Sequence, residues 1–324
     1  MYSRILVPLD GSHLAEQILP YVQLLAKALD IPVRLVQVVM PIDIEPAILS
    51  EIDGLPGPIR MQLATSGDIE RLTASLVTKA ETYLSGIAAS IKDAGVADVT
   101  VQALQGRGAA EYILREGEAD TSGLIAISTH GRHGITNWVL GSTSDKVIQA
   151  AKNPMLVFRP TAGTRSVSET KVSTVIVPLD GSTMAEQAVP HAVNLARSLG
   201  ARMVLARAVL SAAELYRFIG YFYIPPPTLS LDMEAEAMRY LEETVEKVRN
   251  QGVVQVDQTL LHGDPAISIV DLAASSKESL IVMTTHGRSG IRRWVLGSVT
   301  DRIIRTSENP VLVVRAVQEK RENP

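Results

Sequence analysis

The chain has 324 residues, a formal net charge of -4 and no cysteine, with 46% hydrophobic and 4% aromatic residues. At about 150 residues per domain the length points to two domains, and either half is long enough to bury its own core. The absence of cysteine excludes disulfides, thiolate metal sites and a thiol nucleophile, and an acidic chain poor in aromatics lacks the basic face and stacking platforms that nucleic acids need.

In chain order, short β-branched runs alternate with helical stretches. Strands are expected at Arg4–Leu9, Val33–Val39, Val99–Leu104, Leu124–Ser128 and Met155–Phe158. Between them, helices are expected at His13–Ala28, Asp68–Ala94, Ala109–Glu118 and Ser142–Ala151. The order then returns, with strands at Thr174–Leu179, Arg202–Val209, Val254–Leu261, Leu280–Thr284 and Val311–Val314. Runs such as Ile5-Leu6-Val7 are apolar throughout, as strands covered on both faces are. Five strands alternating with helices imply a doubly wound parallel α/β sheet in each half, a Rossmann-like unit. Such sheets bind ligands beyond the C-terminal strand ends, at the topological switch point. Pro20 and Pro190 fall inside the first helix of each half, where an interior proline is expected to produce a kink. Nowhere do about 18 apolar residues run together, so no membrane contact is expected. The opening apolar run is too short for a signal-peptide core, and the expected location is cytoplasmic.

The dominant feature is an internal repeat. Val7-Pro8-Leu9-Asp10-Gly11-Ser12 recurs as Val177-Pro178-Leu179-Asp180-Gly181-Ser182, at an offset of 170. Thr129-His130-Gly131-Arg132 recurs as Thr285-His286-Gly287-Arg288, at an offset of 156, and Asn153-Pro154 as Asn309-Pro310. From Val7 to Leu29, 13 of 23 positions are identical to their counterparts; from Thr129 to Arg159, 18 of 31 are. Two long copies indicate a duplicated domain and not a solenoid. The expected boundaries are a first domain over 1–160, a polar linker over 161–171, a second domain over 172–317 and a charged tail over 318–324.

Two motifs carry chemistry. The first is the turn after strand one, where Asp10 and Asp180 face the ligand crevice. Glycine permits the tight turn, and Ser12 or Ser182 can cap the following helix. The carboxylate either receives a ribose or base, or holds its own loop. The second is the loop after strand four. It runs from Ser128 through His130, Gly131, Arg132 and Gly134 to Gly141, Ser142 and Thr143, and from Thr284 through His286, Gly287, Arg288 and Gly290 to Gly297, Ser298 and Val299. Its glycines let backbone approach an anion, and Gly-Ser opens a helix whose free N–H groups favour phosphate. His130 and His286 either shape the turn or touch phosphate. No spacing supports a catalytic nucleophile–base pair or a metal cluster, and there is no P-loop.

These motifs, in order and in both copies, resemble the universal stress protein family in its tandem form. The carrying residues are Ile5-Leu6-Val7-Pro8-Leu9-Asp10-Gly11-Ser12, Thr129-His130-Gly131-Arg132, Leu140-Gly141-Ser142, Asn153-Pro154 and their second-half counterparts. The resemblance implies an adenine nucleotide alpha hydrolase-like fold. It also implies ATP or ADP as ligand, sometimes with a divalent ion such as Mg. The nine-residue spacing from Gly131 to Gly141 and from Gly287 to Gly297 matches the family's nucleotide motif. Ser128 and Thr284 replace its first glycine and offer hydroxyl donors there. By the same resemblance, Pro8, Leu9 and Asp10 (Pro178, Leu179 and Asp180) meet ribose or adenine. Val38 or Val39, and Val209, line the adenine slot, flanked by Ile127 and Met283. The last strands, Met155–Phe158 and Val311–Val314, then pair the two halves about a pseudo-twofold, and a further homodimer is left open.

Three functions follow as rivals: a nucleotide-binding stress-response regulator, a slow ATPase or nucleotidyl-transfer enzyme, and a scaffold with empty pockets. The aromatic cluster Tyr216, Phe218, Tyr221, Phe222 and Tyr223, followed by Pro225-Pro226-Pro227, is read as a loop over the core or as a lid or docking surface. Arg292 and Arg293 replace Thr136 and Asn137, which makes the mouth of the second half more basic.

Overall fold

A computed structural model describes residues 2–40, 66–129, 141–160, 170–210, 228–276, 278–287 and 296–317. Residues 161–169 of the expected linker, the tail over 318–324, the aromatic cluster and Arg292 and Arg293 lie outside these residues. The first half contains β1 (Ile5–Pro8), α1 (His13–Glu16), α2 (Leu19–Leu29), β2 (Val33–Val39), α3 (Ser66–Asp93), β3 (Val99–Gln105), α4 (Ala109–Glu118), β4 (Leu124–Ser128), α5 (Ser142–Ala150) and β5 (Met155–Phe158). The second contains β6 (Thr174–Pro178), α6 (Thr183–Glu186), α7 (Val189–Leu199), β7 (Arg202–Val209), α8 (Thr228–Arg249), β8 (Val256–His262), α9 (Pro265–Ala274), β9 (Ser279–Thr284), α10 (Ser298–Thr306) and β10 (Val311–Val314).

The ten strands form one sheet in the order β3-β2-β1-β4-β5-β10-β9-β6-β7-β8. Within each half the strands run parallel, and the strand order reverses between β1 and β4, and between β6 and β9. The halves meet where β5 runs antiparallel to β10. The register sets Val311 against Val157, Leu312 against Leu156 and Val313 against Met155. Leu312 is the counterpart of Leu156 at the 156-residue offset, so a residue faces its own copy and the pseudo-twofold passes through that pair. Val22, Leu84 and Ile91 share one core with their counterparts Ala192, Leu241 and Val248. Ile113, Val147 and Ile148 share another with Ile269, Ile303 and Ile304. Each face of the sheet therefore carries one core across both halves, and the axis is normal to the sheet. The C-terminal strand ends of the two halves point to opposite ends of the molecule.

The single helix expected over His13–Ala28 is two helices. The chain turns at Gln17 and Ile18, and α2 restarts at Leu19 with Pro20 at its second position. A proline there lacks only an N–H that no first turn could bond. Pro190 repeats the arrangement in α7. β8 starts at Val256, later than hydrophobicity predicts, because Val254 is 94% exposed.

The repeated Asn-Pro pairs have a structural reason. Asn153 is buried, and its Nδ2 donates to the carbonyls of Asp120 (2.8 Å) and Gly123 (3.0 Å) just before β4. Asn309 does the same to Ser276 (3.2 Å) and to Ser279 (3.3 Å), the first residue of β9. Three further contacts cross the twofold. Arg159 Nε donates to the Ser307 carbonyl at 3.3 Å, and Arg315 Nη1 donates to the Ala151 carbonyl at 2.8 Å. The Tyr2 hydroxyl lies 2.7 Å from His191 Nδ1, and burial holds that imidazole below its usual pKa.

Candidate functional site

The site begins with the turn after β1. Gly11 has φ 82° and Gly181 φ 84°, a left-handed conformation open to glycine at little cost. Ser12 donates its backbone N–H (2.9 Å) and its hydroxyl (2.6 Å) to Asp10 Oδ1. The same hydroxyl accepts from the Ala15 N–H at 3.2 Å, which caps α1. Asp180, Ser182 and Ala185 repeat this at 2.9, 2.6 and 3.1 Å. One carboxylate oxygen therefore holds the loop.

Beyond the ends of β1 and β4 lies a cleft of about 1240 Å³. It is lined by Pro8, Leu9 and Asp10 after β1, Val38 and Val39 of β2, Ile127 and Ser128 of β4, and Gly141, Ser142 and Thr143 at the start of α5. These ten are all the first-half residues that the sequence nominates and the structure describes. His130, Gly131, Arg132, Gly134, Arg288 and Gly290 lie outside the described residues. In the second half, Pro178, Leu179, Asp180, Val209, Met283, Thr284, His286, Gly287, Gly297, Ser298 and Val299 occupy the corresponding strand ends and helix start.

The base of each glycine-rich loop is clasped. Gly141 N–H donates to the Thr129 carbonyl at 2.8 Å, and Gly297 N–H to the Thr285 carbonyl at 2.8 Å. A side-chain carbon on Gly297 would come within 2.9 Å of that carbonyl. Neither glycine caps its helix with a side chain, so the first N–H groups and the positive dipole end of α5 favour an anion. In the second half the two motifs touch: a side-chain carbon on Gly287 would lie 2.1 Å from Asp180 Oδ2.

The hydroxyls at the missing first glycine donate within the chain. Ser128 Oγ donates to the Ala15 carbonyl at 3.2 Å, and Thr284 Oγ1 to the His286 carbonyl at 2.7 Å. Both protons serve the protein. His286 Nδ1 lies 3.1 Å from Thr285 Oγ1, an arrangement that shapes the turn.

Sequence reasoning misses the far wall. Leu76, Lys79, Ala80 and Tyr83 of α3 line the cleft, with Gln37, Arg107 and Lys146. Their spacing along α3 is that of one helical face, but nothing in the sequence says which strand end that face covers. Tyr83 donates to Glu16 Oε1 at 2.8 Å, and Tyr240 to Glu186 Oε1 at 3.0 Å. Burial and the Glu186 carboxylate push the Tyr240 phenol up. Among the described residues no group of three His, Asp or Glu side chains could hold a metal, and no helix is long and apolar enough to cross a membrane.

Two doubly wound α/β units sharing one sheet, the first with a glycine-bounded crevice at its switch point, define a tandem protein of the Rossmann-like class. The profile of the universal stress protein family matches residues 1–159 and again 171–315, and the chain belongs to that family. It is 32% identical over 141 residues to a universal stress protein of Methanocaldococcus jannaschii, a match covering 44% of this chain and 81% of that one. It is also 32% identical over 148 residues to the universal stress protein YxiE of Bacillus subtilis, covering 44% and 97%. A crystal structure of a universal stress protein from Archaeoglobus fulgidus shares the fold, with a TM-score of 0.66, 20% identity and coverage of 96% of this chain and 98% of that one.

Proposed function

We propose that the chain binds an adenine nucleotide, ATP or ADP, and acts as a regulator whose conformation or association follows occupancy. One observation carries this reading: ten separately nominated residues line a single cleft at the switch point of the first half. Val38, Val39 and Ile127 offer apolar walls for a base, and Asp10 offers an acceptor for ribose hydroxyls. The N–H groups of Ser142 and Thr143 open α5 toward a phosphate chain, with Lys79 and Lys146 on the same lining. A divalent ion such as Mg would travel with the phosphates, since the described residues supply no three-ligand site. Occupancy alters behaviour only if the nucleotide prefers one conformation.

The test starts with freshly purified protein and no added ligand. The protein is denatured and any released nucleotide is identified and counted, and ATP and ADP are then titrated by calorimetry. The expected result is adenine nucleotide in the extract, or an affinity tighter than about 1 mM. Failure of both would overturn the reading in favour of a scaffold acting through protein surfaces.

A further inference from the structure

We infer that the two halves are unequal: the nucleotide site belongs to the first half, and in the second an Arg207–Glu236 pair stands where the first has Gln37 and Lys79. This rests on the nucleotide reading above and assigns it to one half.

Arg207 is the counterpart of Gln37, at the 170-residue offset. Gln37 lines the first cleft. Both are buried, at 8% exposure for Gln37 and 7% for Arg207. A guanidinium that deep needs partners. Its Nη2 lies 3.6 Å from Glu236 Oε1, and its Cζ lies 5.2 Å above the Tyr240 ring. Glu236 and Tyr240 stand where the first half has Lys79 and Tyr83, both on the cleft lining. The positions that hold an amide and an ammonium on the cleft lining in one half therefore hold a guanidinium above a ring and a carboxylate in the other.

The mouth differs in the same sense. Gly108 caps α4 without a side chain, whereas Asp264 caps α9 by accepting from the Ile267 N–H at 3.0 Å. Asp264 also holds Arg302, the counterpart of Lys146, at 2.8 Å. The turn before α9 is one residue shorter than Gly106-Arg107-Gly108, so Arg107 has no counterpart. Among the described residues, the first cleft sets Lys79, Arg107 and Lys146 against Asp10 and Glu111. In the second half Glu236 and Asp264 place carboxylates at the positions of Lys79 and Gly108. Each of these two carboxylates disfavours a polyphosphate at that point.

The test uses the full chain. ATP is titrated by calorimetry, and 8-azido-ATP photolabelling is mapped by mass spectrometry. The expected result is a single equivalent with label confined to first-half peptides. Gln37→Arg/Lys79→Glu, which installs the second-half arrangement in the first, should weaken binding about tenfold or more. Arg207→Gln/Glu236→Lys should admit a second equivalent. Two equivalents in the unaltered chain, or label in second-half peptides, overturn the inequality and leave the nucleotide reading standing. An unchanged single equivalent in Arg207→Gln/Glu236→Lys overturns the assignment to Arg207. No binding by any form overturns the nucleotide reading itself.

Discussion

At the scale of single residues, two glycines of this chain predict opposite outcomes for the same substitution. Gly86 lies inside α3 with nothing near the place a side chain would take. Gly86→Ala removes backbone freedom from the unfolded chain and should stabilise by about 0.5–1 kcal/mol. Gly287 has the Asp180 carboxylate in that place. Gly287→Ala must displace the carboxylate or lift the loop, and should cost about 1–3 kcal/mol. Denaturant midpoints of the two variants check both signs. The recurrence of Asp180 and Gly287 in fixed motifs is visible in the sequence. Their contact is not, because it depends on β6 and β9 lying side by side. Lys79 and Tyr83 escape notice for a related reason: a helical stripe shows which face is buried, not which strand end lies beneath it.

At the scale of elements, the alternation of strands and helices was readable because these strands are short, β-branched and covered on both faces. The break between α1 and α2 was not, since the apolar spacing continues through Gln17 and Ile18 while the backbone turns. The ends of α5 and α10 show a second kind of hidden partner. The last carbonyls of a helix have no intrahelical donor. Arg315 Nη1 supplies one to Ala151 (2.8 Å) and to Gln149 (3.2 Å) from the other half. Arg159 Nε serves Ser307 reciprocally. Arg315→Ala should destabilise the chain by about 1.5–3 kcal/mol, the range for a charged hydrogen bond. Arg315→Lys keeps the charge but loses the fork, and should recover only part of it. Urea unfolding of the two variants beside the unaltered chain measures the difference.

At the scale of the molecule, the halves are joined by more than a strand pair. Tyr2 and His191 meet across the twofold, 2.7 Å apart. Burial lowers the His191 pKa in the folded chain, below the value near 6.5 of an exposed imidazole. Protons are then bound more readily by the unfolded chain. The stability this histidine contributes is present above about pH 6.5 and is lost as pH falls through the folded value. Unfolding midpoints measured stepwise from about pH 7 to pH 5 should fall. In His191→Gln, which carries no proton to gain, the fall should be shallower.

The antiparallel seam between β5 and β10 also bears on inheritance. Two separate halves would part on dilution and could trade mates with any protein bearing a similar last strand. Joined in one chain, each meets the other at an effective concentration on the order of millimolar, and the seam has no vacancy for a stranger. A substitution in one half is therefore always read against the same neighbour. Drift in one pocket does not touch the other, because a separate stretch of gene encodes it. Such a chain can keep one pocket under selection while the other wanders, and Gln37 and Arg207, facing opposite ends of a common sheet, are a pair at which the halves differ.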